Sequence, residues 1–237
     1  MHFTSTHLFV LSDEGTYRLY DLSNPQSYSH YTLGTEVSDL GIVSAKAYDD
    51  GFVVLTGGLQ FLEVRGWKGG RVGALATSGL NEPPSSWTII PPDQSMSGHV
   101  EVLLSSGQTI LTLDALERID QRLSKGPFSH ILLSPNGRFL ALITATGLLW
   151  VVSSDFARSL SEVDITVLGG EKEGEGGGIP EKAEWCGDNA VVLAWGSRVV
   201  VVGPEGECLR SVHLPSYEQY LTDFTLVDMS THLPLIS

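Results

Sequence analysis

A chain of 237 residues can form one large all-β domain, and 42% hydrophobic content with 26 Gly and 11 Pro suits many short strands separated by turns better than long helices or disorder. The net charge of −14 opposes general affinity for nucleic-acid phosphates or an anionic lipid surface, and leaves room only for a local basic patch. Cys186 and Cys208 are the only cysteines, no Asn-x-Ser/Thr acceptor occurs, no basic segment precedes the apolar run Leu8–Leu11, and no apolar run nears the ~20 residues of a membrane span, so a reducing cytosol is expected.

In chain order, His7 to Leu11 reads as a strand, Ser12-Asp13-Glu14-Gly15 as a turn, and Thr16 to Leu22 as the returning strand, as though the chain opened inside a unit. A polar segment, Ser23 to Asp39, follows. Then come strands Val43 to Ala47, Phe52 to Thr56 and Leu59 to Val64, with turns at Asp49-Asp50-Gly51 and Gly57-Gly58. The clearest stretch is 130–156, where Ile131 to Ser134, Arg138 to Thr144 and Leu148 to Ser153 form a three-strand meander around Pro135-Asn136-Gly137 and Ala145-Thr146-Gly147.

Two turn glycines bracketing one strand recur as Gly98 and Gly107, Gly137 and Gly147, and Gly187 and Gly196. The first glycine of each pair advances 51, 98, 137, 187 and the second 15, 58, 107, 147, 196. A period of roughly 40 to 50 residues with about four short strands is the mark of propeller blades, each too thin to bury both faces until its neighbours stack on it. The predicted fold is therefore all-β, an incomplete β-propeller of about four to five blades over 1–208, with 209–237 a divergent tail. A β-sandwich, the competing architecture, has a turn period of ~8–12 residues and no higher-order repeat.

Some segments resist the rhythm. Asp114 to Lys125 places Leu116, Ile119 and Leu123 at helical spacing, but each unit needs an outer strand here, and a strand is the preferred reading. Pro215 to Ser237 could begin a helix at Ser216. Residues 169–178, GGEKEGEGGG, are an acidic, glycine-rich surface loop inside a blade connection. Pro83-Pro84 and Pro91-Pro92 flank Ser85 to Ile90, predicted to be an extended exposed loop. Its Trp87 either tucks onto the blade, which the area of an indole favours, or is offered to a partner.

Chemistry is sparse. Gly66 to Gly73 follows a strand and gathers Arg65, Lys68 and Arg71, yet it has no Gly-Lys-Ser/Thr and little room for a helix before Pro83, so it reads as an exposed turn and not a phosphate loop. The seven histidines form no i,i+4 pair and no set with cysteine at metal-ligand spacing. Asp13/Glu14, Asp49/Asp50 and Glu162/Asp164 sit in or near turns, where solvated acids are common, and the repeated aspartate box of propeller sialidases is absent. No Gly-x-Ser-x-Gly elbow occurs, and neither cysteine has a basic neighbour in sequence. Trp150, Trp185 and Trp195 read as core residues between blades. No catalytic, cofactor or metal residue is assigned; the candidate protein-interaction surface is Trp67, Lys68, Arg71 and Trp87. A non-catalytic docking platform is the leading reading, and a hydrolase or lyase acting at the central channel, or a generic interaction propeller in another complex, are the alternatives.

Gly126 to Ile131, Ser134-Pro135-Asn136-Gly137-Arg138-Phe139-Leu140-Ala141 and Leu149 to Phe156 resemble the N-terminal region of the vacuolar protein sorting-associated protein 16 family. Trp185-Cys186-Gly187-Asp188, Ala190 to Trp195 and Val202-Gly203-Pro204 are similar to that family's next block, in the same order and spacing. The likeness spans about 40–208, and the Trp-Asp signature of common propellers is missing. The resemblance implies a non-enzymatic core subunit of the HOPS and CORVET tethering complexes, which act in intracellular protein transport before SNARE-mediated fusion. Members join an N-terminal propeller to a long α-solenoid that holds the SNARE-chaperone subunit. It further implies a cytoplasmic protein, peripheral at late endosome or vacuole membranes through other tethering subunits, with no nucleic-acid partner and no cofactor. Against that pattern the chain is expected to start inside a blade, to stop before the propeller closes and to lack the helical part, as a truncated gene product or partial gene model would. No family binding residue is carried over, because the contacts implied lie in the helical part.

Overall fold

The computed structural model describes residues 2–3, 7–168, 178–203 and 208–213. Twenty strands fall into five four-stranded sheets, and within each the spatial order follows the chain order. The first comprises β1 (His2–Phe3), β2 (His7–Leu11), β3 (Thr16–Asp21) and β4 (Asn24–Thr32). A short helix, α1 (Thr35–Leu40), leads to β5 (Ile42–Tyr48), β6 (Gly51–Thr56), β7 (Phe61–Arg65) and β8 (Arg71–Ala74). The third sheet holds β9 (Trp87–Ile90), β10 (Glu101–Ser106), β11 (Thr109–Leu113) and β12 (Arg118–Asp120). The fourth holds β13 (Phe128–Leu133), β14 (Phe139–Thr144), β15 (Leu148–Ser153) and β16 (Ser159–Asp164). The fifth holds β17 (Lys182–Cys186), β18 (Ala190–Trp195), β19 (Arg198–Val202) and β20 (Cys208–His213). These are the blades of an incomplete β-propeller, and the expected meander at 130–156 is β13 to β15.

The chain divides into two compact units, and the third sheet contributes residues to each. One unit contains Met1–Pro84, Ile89–Leu103 and Leu111–Asp120. Its core gathers Phe9, Tyr17, Leu19, Phe52, Val54 and Val64 from the first two blades, with Leu33 and Val37 closing one end. Phe52 and Val54 stand two apart on β6 and so share the face turned to blade one. The other unit contains Ser85–Thr88, Leu104–Ile110 and Gln121–Ser237. There Ala141, Ile143, Leu149 and Val151 of blade four meet Val191, Leu193, Val200 and Val202 of blade five. Buried residues again alternate with partly exposed ones on β18, because only one face of each ladder enters that core.

Several expectations are corrected. The first sheet counts four strands among the described residues, since β1 (His2–Phe3) pairs with β2, where the sequence suggested only part of a unit. The polar segment Ser23 to Asp39 contains β4 and α1. An outer strand can be polar on its solvent face, and β4 is exposed at Gln26, Ser27, Tyr28 and His30, so apolar alternation fails to announce it. Ser85 to Ile90 is not an exposed loop, because Trp87–Ile90 is a strand buried at every position. The run Trp-Thr-Ile-Ile has the bulk of a core strand, and its flanking prolines mark where pairing starts and stops. In Asp114 to Lys125 the outer strand β12 forms, although only three residues long. Asp114 Oδ1 accepts the Leu116 and Glu117 N–H groups in a turn that leaves Leu116 88% exposed, so the helical spacing reflects no helix.

Trp150 is also not in the blade four to five core. It lies on the opposite face of β15, partly exposed, with its indole N–H donated to Ser159 Oγ at 2.8 Å and Lys125 Nζ 4.4 Å from the ring centroid. Trp195 is buried and Trp185 packs against the same core; they donate their N–H groups to Gly178 O and Leu132 O. β20 pairs with β19 from Cys208 to His213, so blade five extends past residue 208. The loop at 169–177 and the segment 214–237 lie outside the described residues. Among the described residues no helix is long and apolar enough to cross a membrane.

Candidate interaction surface

Lys68 and Arg71 are presented by the turn between β7 and β8. The turn is tight: Gly66 and Gly69 take φ of 87° and 65°, values costly for a residue with a side chain. A Cβ on Gly70 would lie 2.1 Å from the Gly66 carbonyl oxygen. The turn is pinned by Gly66 N–H donating to Asp50 O at 2.6 Å and by the Gly70 N–H bonded to the Tyr17 hydroxyl. Burial nevertheless raises the Tyr17 hydroxyl above its usual pKa.

Trp67 faces inward from this turn. Its indole N–H donates to Asp49 O at 2.7 Å, and its ring stands 4.9 Å from Phe9 and 5.9 Å from Phe52, stacked on the latter. It is partly buried against the core of the first two blades, so most of its contribution is packing. Lys68 and Arg71 are exposed. Lys68 lies near Asp21, whose carboxyl is held below the usual carboxylate range mainly by hydrogen bonds from the Ser23 hydroxyl and N–H, with His7 and Lys68 adding smaller attractions. Arg65, opposite Arg71 in the ladder, is committed elsewhere: its guanidinium binds Glu63 at 3.2 Å, and Glu63 also accepts the Tyr48 hydroxyl at 2.9 Å. Burial first, and then the Glu63 carboxylate, pushes the Tyr48 hydroxyl well above the ordinary tyrosine range.

Three of the four residues singled out in sequence therefore share one turn and strand, with Lys68 and Arg71 as its exposed cations. Trp87 belongs to the other compact unit and is only 7% exposed in β9, which places it on the packing side of its two readings. Sequence reasoning missed a cleft of about 380 Å³ in the first unit, floored by Phe9, Leu11, Ile42 and Phe52 and walled by Ala45 and Lys46. Its residues come from two blades, so no linear motif announces it. Among the described residues no group of three or more His, Cys, Asp or Glu is placed to hold a metal ion.

Sheets of this kind, packed around apolar inter-blade cores, define a β-propeller. The fold is shared with the β-propeller domain of Myceliophteria thermophila Cps50 (Swd1), at a TM-score of 0.58 and 12% identity, with 89% of this chain and 70% of that one covered. The family description "Vps16, N-terminal region" matches residues 1–222, and the chain belongs to that family. The likeness thus extends beyond Cys208, where sequence reading ended it. The probable vacuolar protein sorting-associated protein 16 homolog of Schizosaccharomyces pombe is 28% identical over 204 residues, covering 84% of this chain and 24% of the relative. Protein VACUOLELESS1 of Arabidopsis thaliana is 25% identical over 222 residues, covering 84% and 25%. The chain thus spans about a quarter of the length of these relatives.

Proposed function

We propose that this chain is a non-catalytic propeller scaffold in vacuolar protein sorting, acting within a HOPS- or CORVET-type tethering assembly. The observation that carries the reading is the family match over residues 1–222, nearly the whole chain and all five blades. The physical character of the blades supports it. Their inward side chains are committed to packing, which leaves turns and edges as the working surface. In this reading the partners are other tethering subunits, and the protein is cytoplasmic and reaches late endosome or vacuole membranes through those partners. The exposed Lys68 and Arg71 then form a small basic contact on an acidic body, suited to steering an acidic partner surface.

Affinity capture of the tagged chain from cell extract tests this. Co-purification of tethering-complex subunits is expected, and their absence from captures of both this chain and a longer form carrying it overturns the assignment. Replacing Lys68 and Arg71 by glutamate is expected to reduce the recovered subunits several-fold while leaving the fold intact.

A further inference from the structure

The hairpin that joins β15 to β16 carries an aromatic residue in a backbone state suited to glycine. Phe156 takes φ of 60°, the left-handed region in which a Cβ crowds its own backbone. Its N–H closes the turn on Ser153 O at 2.8 Å, and the residue that ends such a hairpin turn in the left-handed region is normally glycine. Local bonds hold it there: Ser153 N–H donates to Arg158 O at 2.9 Å, Arg158 N–H to Ser153 Oγ at 3.0 Å, and Ala157 N–H to Asp155 Oδ1 at 3.0 Å. None of these bonds uses the ring, and Phe156 stays partly exposed. Two arginines flank the turn. Ser154 N–H donates to Arg138 O at 2.9 Å, so Arg138 and Arg158 stand on either side of the end of β15, about 10 Å apart at the strand spacing of a ladder. Both are exposed, and among the described residues neither guanidinium is ion-paired, whereas Arg65 and Arg118 are committed to Glu63 and to Ser78 O. The nearby acids are occupied by backbone. Asp188 accepts the Asn136 N–H at 2.9 Å, and Asp155 is held below the usual carboxylate range mainly by the Ser153 hydroxyl and the Ala157 N–H, with Arg158 a small addition.

We propose that Phe156, Arg138 and Arg158 form a docking site for an acidic segment of a partner protein, one that carries large apolar side chains between carboxylates. A phenylalanine in this backbone state costs stability that a glycine does not, and the turn closes without the ring, so the reason for the ring lies outside the turn. The pinned turn presents ring and guanidiniums with little backbone freedom left to lose on binding. Aromatic and arginine side chains are also the anchors that dominate binding energy at protein interfaces. Two guanidiniums without carboxylate partners select carboxylates, which they bind as planar forks. The charge of −14 on the chain as a whole repels acidic segments elsewhere, which favours binding at uncompensated cations such as these. The three residues lie in one compact unit, distinct from the unit of Lys68 and Arg71, and the site stands independently of the tethering assignment.

The test uses the full chain and a fluorescein-labelled peptide with two leucines between paired glutamates. Saturable binding by fluorescence anisotropy is expected, weakening about ten-fold or more when the leucines become serines or the glutamates become lysines, a comparison made on the unmodified chain. Arg138→Glu with Arg158→Glu is expected to weaken binding as strongly, and Lys68→Glu with Arg71→Glu by less than about two-fold. Phe156→Gly is expected to weaken binding about ten-fold while its urea midpoint stays at or above that of the parent, because glycine relieves the left-handed backbone. Absence of saturable binding, equal binding of the serine or lysine peptide, or unchanged affinity in the Arg138 and Arg158 variant or in Phe156→Gly overturns the proposal. So does an equal loss in the Lys68 and Arg71 variant, which moves the site, or a lowered midpoint in Phe156→Gly, which assigns the ring to packing.

Discussion

At the scale of single residues, the glycine rhythm has more than one cause. Gly137 and Gly147, which bracket β14, take φ of 70° and 84°, as turn glycines should. Gly51 is different: it begins β6, and a Cβ there would lie 2.1 Å from the Val64 carbonyl oxygen and 2.8 Å from the Tyr48 hydroxyl. Gly51→Ala is therefore expected to destabilise by about 1–3 kcal/mol in urea unfolding. Gly73→Ala, on open β8 with nothing within 4 Å of the added Cβ, serves as the neutral control. The spacing of Gly51 was legible in sequence, but its reason was not, because the atoms it avoids come from β7 and β5. His130 behaves similarly. Burial holds its imidazole below the usual range, against a smaller opposing effect of a hydrogen bond to the Glu181 backbone. The unfolded chain then binds more protons, so stability is complete above the unfolded value of about 6.5 and declines as pH falls through the lower folded value. Urea midpoints measured from neutral to mildly acidic pH are expected to fall in the parent chain and to fall less in His130→Gln.

At the scale of elements, each ladder is stabilised by the face it turns to its neighbour. Phe52 is fully buried on β6 and touches the rings of Phe9, Tyr17 and Trp67, so it joins two blades and also seats the β7–β8 turn. Phe52→Ala is expected to cost about 3–5 kcal/mol and to loosen that turn, seen as faster amide exchange at Gly66 and Gly70. The Tyr48–Glu63–Arg65 chain holds β5 to β7 across β6 by a different means. Removing its centre by Glu63→Ala leaves a buried hydroxyl without its acceptor, at an expected cost of about 1–3 kcal/mol in the same unfolding assay. Short apolar strands were readable from alternation and turns. β4 and β9 were not: an outer strand may be polar on one face, and a run between prolines has the composition of either a loop or a core strand until its pairing partner is known.

For the whole molecule, an excess of acids over bases that leaves −14 opposes direct adsorption to anionic bilayers, and exposed cations such as Lys68 and Arg71 work against it only locally. The purified chain is expected not to co-sediment with anionic phospholipid vesicles at about 0.15 M salt, and direct binding there would contradict recruitment through partners. The sequence by itself determined the blade period, the approximate number of blades and the family, because these follow from local turn chemistry, a repeat period and residue types along one strand. Only the tertiary structure decided that Trp87–Ile90 is an interior strand, that Trp150 lies outside the core, and that a cleft opens beside Leu11. Each of these depends on which side of a ladder is covered by residues tens of positions away, and hydrophobic alternation specifies that a strand has two faces without saying what lies against either.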